Sequence, residues 1–172
     1  DLIINFINNN SNQIDFLAVA WLWDTFLHPK ISLFLDKLIS IRETWIPILI
    51  PTKWNTLNKN LILQIKKLKS VWLNINIQLW IFSLKEENMN LMAWLYDKNI
   101  DCFSFNYFEN FKNTLKLLKK NDLDFSVELL LTKFSEKEVE SFTKFCKNLN
   151  VDWVIHKLHN FWWKLKSYWH LY

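Results

Sequence analysis

A chain of 172 residues with no glycine has lost the residue that tight turns and helix C-caps use most, because only glycine reaches positive φ without steric cost. Average usage of about 7% would place roughly 12 glycines here, so their absence is systematic. The same chain carries 11 tryptophans, and their positions follow a rule. Trp45 stands between a helix-like run ending in Arg42, Glu43 and Thr44 and an apolar run opening at Ile46 and Pro47, while Trp72 follows Lys69, Ser70 and Val71 just before strand-like Leu73 to Leu79. Both are positions where a helix hands over to a strand and glycine is the usual occupant. Trp21, Trp23, Trp54 and Trp80 lie just past apolar strand patterns, and Trp162 and Trp163 are adjacent in a polar exit loop. The pattern points to tryptophan standing where the functional protein has glycine. UGA is read as tryptophan in some genetic codes and as glycine in others, and the abundance of Asn, Lys, Ile, Leu and Phe suits an AT-rich gene that uses UGA as a sense codon. The other readings are a protein that truly carries eleven tryptophans, or a deliberate Gly-to-Trp redesign.

Hydrophobic content of 51% and charged content of 22% are those of an ordinary globular domain. The net charge of +4 is spread along the chain, and Lys66, Lys67, Lys69, Lys119 and Lys120 fall on helical patterns as solvated faces, so no nucleic-acid partner is expected. No apolar run reaches the roughly 18 residues of a membrane span and the start lacks a signal-peptide pattern, so the expectation is a cytoplasmic protein with no membrane partner. Cys102 and Cys146 are isolated and read as buried free thiols. The first residue is Asp1 rather than methionine, and the expectation is a fragment of a longer protein.

Strand-like and helix-like segments alternate. Strands are expected at 15–20, 46–51, 73–79, 125–132 and 151–159, with a brief extended piece at 100–105. Between them, helices are expected after Pro29 with Ile31, Phe34, Leu35, Leu38 and Ile39 inward, over 56–70, from Ser83 to Tyr96, around Phe108, Phe111, Leu115 and Leu118, and from Ser135 to Leu149. Ser83 with Glu86, and Ser135 with Glu138, have capping-box spacing. The alternation means an α/β fold of right-handed βαβ units, with a parallel sheet covered by helices and function in the loops beyond the strands' C-terminal ends.

Those loops carry motifs. WLWDTFLHPKI follows the first strand and becomes GLGDTFLHPKI with glycine restored, which resembles the Gly-Glu-Pro loop of radical SAM enzymes, with Asp24 for glutamate and Thr25 for proline. VDWVIHKLHNFWW, ending the last strand, resembles the His-Asn-Trp-Gly-Gly segment of the SPASM-type subgroup. PTKWNTL is similar to the family's Thr-Asn-Gly turn, INIQLW to its fourth strand with Gln78 near the usual serine, and MAWLYDKNID to the subgroup's Met-Gly segment.

The resemblance implies a single domain over 1–172, a partial (βα)6 TIM-like barrel covering strands two to six, with the first βα unit missing and the chain starting within the first helix. It implies S-adenosylmethionine and a 4Fe-4S cluster as cofactors, reductive cleavage of the former at the latter, and hydrogen abstraction from a substrate, with a peptide or protein suggested by the SPASM-like ending. A reductant such as a flavodoxin or ferredoxin is the further partner. The family's Cys-x3-Cys-x2-Cys loop is absent from these residues, so the cluster ligands are expected outside them and the fragment alone is expected to be inactive. The residues falling on the cofactor wall are Trp21, Trp23, Asp24, Thr25, Thr52, Gln78, Glu128, His159 and Asn160.

No residue is assigned as a metal ligand or as catalytic. His156 and His159 are three apart, which on a strand points them to opposite faces. Glu86, Glu87, Asp97, Glu136 and Glu138 read as helix caps and exposed faces. The rival function is a non-catalytic α/β binding domain whose exposed aromatic loops engage a partner.

Overall fold

The period-2 run Ile75, Ile77, Leu79, Ile81 and the 3.6-residue pattern Leu61, Ile65, Leu68 each bury one face, and the elements they define follow one another throughout the chain. A computed structural model describes residues 2–20, 24–41, 45–52, 57–97, 106–133 and 135–157, with the side chains of 93–97 excepted. Six helices are described: α1 (Leu2–Asn9), α2 (Ile31–Leu38), α3 (Lys59–Ser70), α4 (Glu86–Asp97), α5 (Tyr107–Lys120) and α6 (Val139–Leu149). Five strands join one sheet in chain order: β1 (Leu17–Ala18), β2 (Ile48–Thr52), β3 (Ile75–Ile81), β4 (Phe125–Leu131) and β5 (Asp152–Lys157). β1 pairs with β2 in parallel, Leu17 opposite Ile48, and β4 with β5 in parallel, Ser126 opposite Asp152. Each strand thus lies beside the next one in sequence, the arrangement that helical crossovers impose.

The chain divides into two compact units, residues 1–78 with 114–125, and residues 79–113 with 126–172. In the first, Leu35 and Leu38 of α2, Ile48 and Ile50 of β2, Ile65 and Leu68 of α3 and Ile77 of β3 are buried, and each such side chain removed from water contributes about 1.5–3 kcal/mol. Ser32 Oγ of α2 donates to Gln64 Oε1 of α3 at 2.8 Å, tying the two outer helices together at the surface. In the second unit the core is Leu79, Ile81, Phe82, Met89, Val127, Leu129, Phe111, Phe142 and Cys146. Burial pushes the Cys146 thiol up to about 12, so it stays protonated and inert.

Three helices end in the same way. At α3, Trp72 N–H donates to Lys69 O and Leu73 N–H to Leu68 O; at α5, Asp122 donates to Lys119 O and Leu123 to Leu118 O; at α6, Asn150 donates to Lys147 O and Val151 to Cys146 O. These paired bonds are Schellman motifs, and their central residues, Trp72, Asp122 and Asn150, have φ of 66°, 52° and 53°.

Several expectations are corrected. The first strand is two residues rather than six, because Asp15 and Phe16 precede the paired segment. α2 stops at Leu38, with Ile39 still right-handed, and the run Arg42 to Thr44 before Trp45 lies outside the described residues. Trp80 lies inside β3 rather than beyond it, in extended backbone. Neither capping box forms. Ser83 Oγ accepts from Lys85 N–H, Glu86 accepts from Asn106 Nδ2, and no side chain caps the turn Glu136–Glu138. The extended piece at 100–105 and the end of the last strand, 158–159, lie outside the described residues.

Candidate functional site

In the first unit the chain leaves β1, and Asp24 then opens a short 3-10 turn, Thr25–Leu27. Its Oδ1 accepts from Phe26 N–H at 2.9 Å, an N-cap bond satisfying a turn amide. Thr52, the last residue of β2, donates its hydroxyl across both carboxylate oxygens, at 3.0 and 2.9 Å. Thr25 Oγ1 lies 2.7 Å from Pro51 O and 3.0 Å from Val19 O, its one proton serving carbonyls of both strand ends. All three side chains are buried, so these bonds form away from competing water. The result is a rigid fastening of the loop that leaves β1 to the end of β2, at the C-terminal edge where parallel sheets hold ligands.

Beside it, a cavity of about 490 Å³ is lined by Ala18, Val19 and Ala20 of the β1 segment, by Thr25 and His28, and by Phe34 of α2. That volume lies in the range of small-molecule sites. The His28 ring is held by Lys30 N–H donating to Nδ1 at 3.1 Å.

Among the described residues, the second unit has two buried carboxylates. Glu128 of β4 sits 2.9 Å from His156 Nδ1 of β5. The register places Glu128 opposite Val154 and Leu130 opposite His156, so the pair is a diagonal contact on one sheet face. Burial raises the Glu128 carboxyl above its ordinary value, while the His156 imidazole and the Trp80 indole pull it back down. Glu138 accepts Ser83 Oγ at 2.8 and 2.9 Å and Leu84 N–H at 2.6 Å, fastening the loop after β3. It is buried, not the exposed cap the sequence suggested, because the loop after β3 offers it donors that the start of its own helix does not.

Of the nine residues expected on the cofactor wall, Asp24, Thr25 and Thr52 are brought together; Gln78 is half-buried on β3 of the first unit and Glu128 buried on β4 of the second. Trp21, Trp23, His159 and Asn160 lie outside the described residues. Sequence reasoning missed the Glu128–His156 pair. Its signal was two polar residues interrupting the apolar runs of strands that turn out to be neighbours, and that signal needs the register. Among the described residues no group of three or more His, Cys, Asp or Glu is placed to hold a metal ion, and no helix is long and apolar enough to cross a membrane.

No family model and no curated protein matches the chain by sequence. Solved structures do match by fold. A structure titled native anSMEcpe with bound AdoMet and Kp18Cys peptide aligns with a TM-score of 0.67 at 15% identity, over 90% of this chain and 41% of that one. The same enzyme with AdoMet and a Cp18Cys peptide gives 0.67 at 16%, over 91% and 42%. Streptococcus suis SuiB bound to S-adenosylmethionine gives 0.56 at 14%, over 81% and 29%. These are an anaerobic sulfatase-maturating radical SAM enzyme and a second radical SAM enzyme, both SPASM-type. The chain thus has the α/β, partial TIM-like barrel fold expected, and it spans about two fifths of the length of the anSMEcpe structures it matches.

Proposed function

We propose that this chain is the core of a radical SAM enzyme of the SPASM type, spanning strands two to six of its barrel as one functional domain, with a peptide or protein as substrate. The observation that carries the reading is the fold match over nine tenths of the chain to enzymes whose structures hold AdoMet, together with the Asp24–Thr52 fastening on the loop the family uses for that ligand. The residues present fit the methionine half of S-adenosylmethionine. A cavity of suitable size, lined in part by Thr25 and His28, lies beside that loop. When bound, the cofactor and a 4Fe-4S cluster supply the one-electron chemistry and the hydrogen abstraction.

The chain's own residues bind and orient. Thr25 and Thr52 fix the ends of β1 and β2, and Asp24 locks the turn that follows; by the family resemblance, the backbone around positions 21 and 23 is the part assigned to the ligand's amino group. The family resemblance also assigns Gln78, Glu128, His159 and Asn160 to cofactor binding. Cysteine ligands for the cluster come from outside residues 1–172, which is why the fragment alone is inactive. A cytoplasmic location and a flavodoxin or ferredoxin as reductant go with this chemistry; nucleic acid and membrane do not enter it.

The test is anaerobic reconstitution of the full-length protein with iron and sulfide, followed by dithionite and S-adenosylmethionine. 5′-Deoxyadenosine, detected by mass spectrometry, is the expected product. A protein whose cluster is spectroscopically intact yet yields none would overturn the reading.

A further inference from the structure

Three handovers from helix to strand share one backbone design, and their central residues differ in a telling way. Asp122 and Asn150 are residue types that tolerate the left-handed region, because a short polar side chain can bond locally there. Trp72 has the largest positive φ of the three and a bulky side chain whose Cβ crowds the following carbonyl. Its indole is 85% exposed, so packing returns little for that crowding. The bonds around it are intact, Trp72 N–H to Lys69 O at 3.0 Å and Leu73 N–H to Leu68 O at 3.3 Å, and Leu73 beyond it is buried. The conformation is therefore set by the fold, and the residue is the part that does not suit it.

We infer that residue 72 is glycine in the functional protein, the tryptophan standing for a UGA codon that the parent organism reads as glycine. The argument rests on the backbone at one position and is independent of the proposed activity. Its reach is wider, because a decoding rule acts on every such codon at once: a chain with no glycine and 11 tryptophans becomes one with ordinary glycine usage.

Two measurements test it. In protein purified from its native source, the peptide spanning Lys69 to Asn74 should be read by tandem mass spectrometry with glycine at position 72; tryptophan there would overturn the inference. In the full chain as written, Trp72→Gly should raise the melting temperature by about 2–8 °C, whereas Asn150→Gly, at an already tolerant residue, should change it far less. An unchanged or lower melting temperature for Trp72→Gly would show that the position does not demand glycine.

Discussion

Asp24 and Glu128 are buried almost equally, at 5% and 4% exposure, and their surroundings differ in kind. Asp24 is gripped by a backbone amide and by a hydroxyl shared across both its oxygens, partners that stay as they are over the accessible pH range. Glu128 faces an imidazole on the neighbouring strand whose side chain is 49% exposed. The first arrangement is a fastening. The second is a carboxyl whose charge burial has made costly, so one residue shapes a loop while the other sits in a strand against its own ionisation.

The largest effect should come from breaking the fastening. Asp24→Ala removes the N-cap of Thr25–Leu27 and leaves a buried Thr52 hydroxyl without its acceptor, so a loss of about 2–4 kcal/mol is expected. Glu128→Gln keeps the shape and discards a buried charge, and should change stability at neutral pH by less than about 1 kcal/mol. Urea unfolding of both variants measures this, and equal losses would erase the distinction.

Next in size is the pH dependence. The Glu128 carboxyl titrates above its ordinary 4.5 in the folded state, chiefly because burial disfavours its charge. A raised folded value means that the stabilising contribution is fully present below about 4.5 and is lost as pH rises through the raised value. Glu128→Gln has no such proton to lose, so its stability relative to the parent should climb as pH rises above about 4.5 and level off once the raised value is passed. Because other groups cancel in the difference, a flat profile would mean that Glu128 is not held against its charge.

Much of this was open to reading in the sequence, and the boundary is physical. β3 and α3 were legible because one element buries one face, leaving the alternation Ile75, Ile77, Leu79 and the spacing Leu61, Ile65, Leu68 in the chain itself. Asp24, Thr25 and Thr52 were picked out by their motifs, and the structure brings them together at the ends of β1 and β2. What failed required knowledge of neighbours. Ser83 and Glu86 have ideal local spacing for a capping box, yet Ser83 spends its hydroxyl proton on Glu138, 55 positions away. His156 was weighed only against His159 three residues on, whereas its partner sits on the adjacent strand. Trp45 and Trp72 looked alike as glycine seats; the described residues test only the second, which closes α3 in a Schellman motif.

The smallest predicted effect isolates the imidazole. Burial raises Glu128, and His156 opposes that through both its charge and its hydrogen bond. His156→Ala removes the opposition and keeps β4 and its burial, so the Glu128 carboxyl should move further upward, as followed by carbon-13 NMR of the labelled side chain. The move should be modest, since a half-exposed partner is screened by water. It should shrink further in high salt, leaving the hydrogen-bonded share. A carboxyl that stays in place, or moves down, would mean that desolvation alone sets Glu128, and the contrast with Asp24 would then be one of burial without a partner rather than of two kinds of partner.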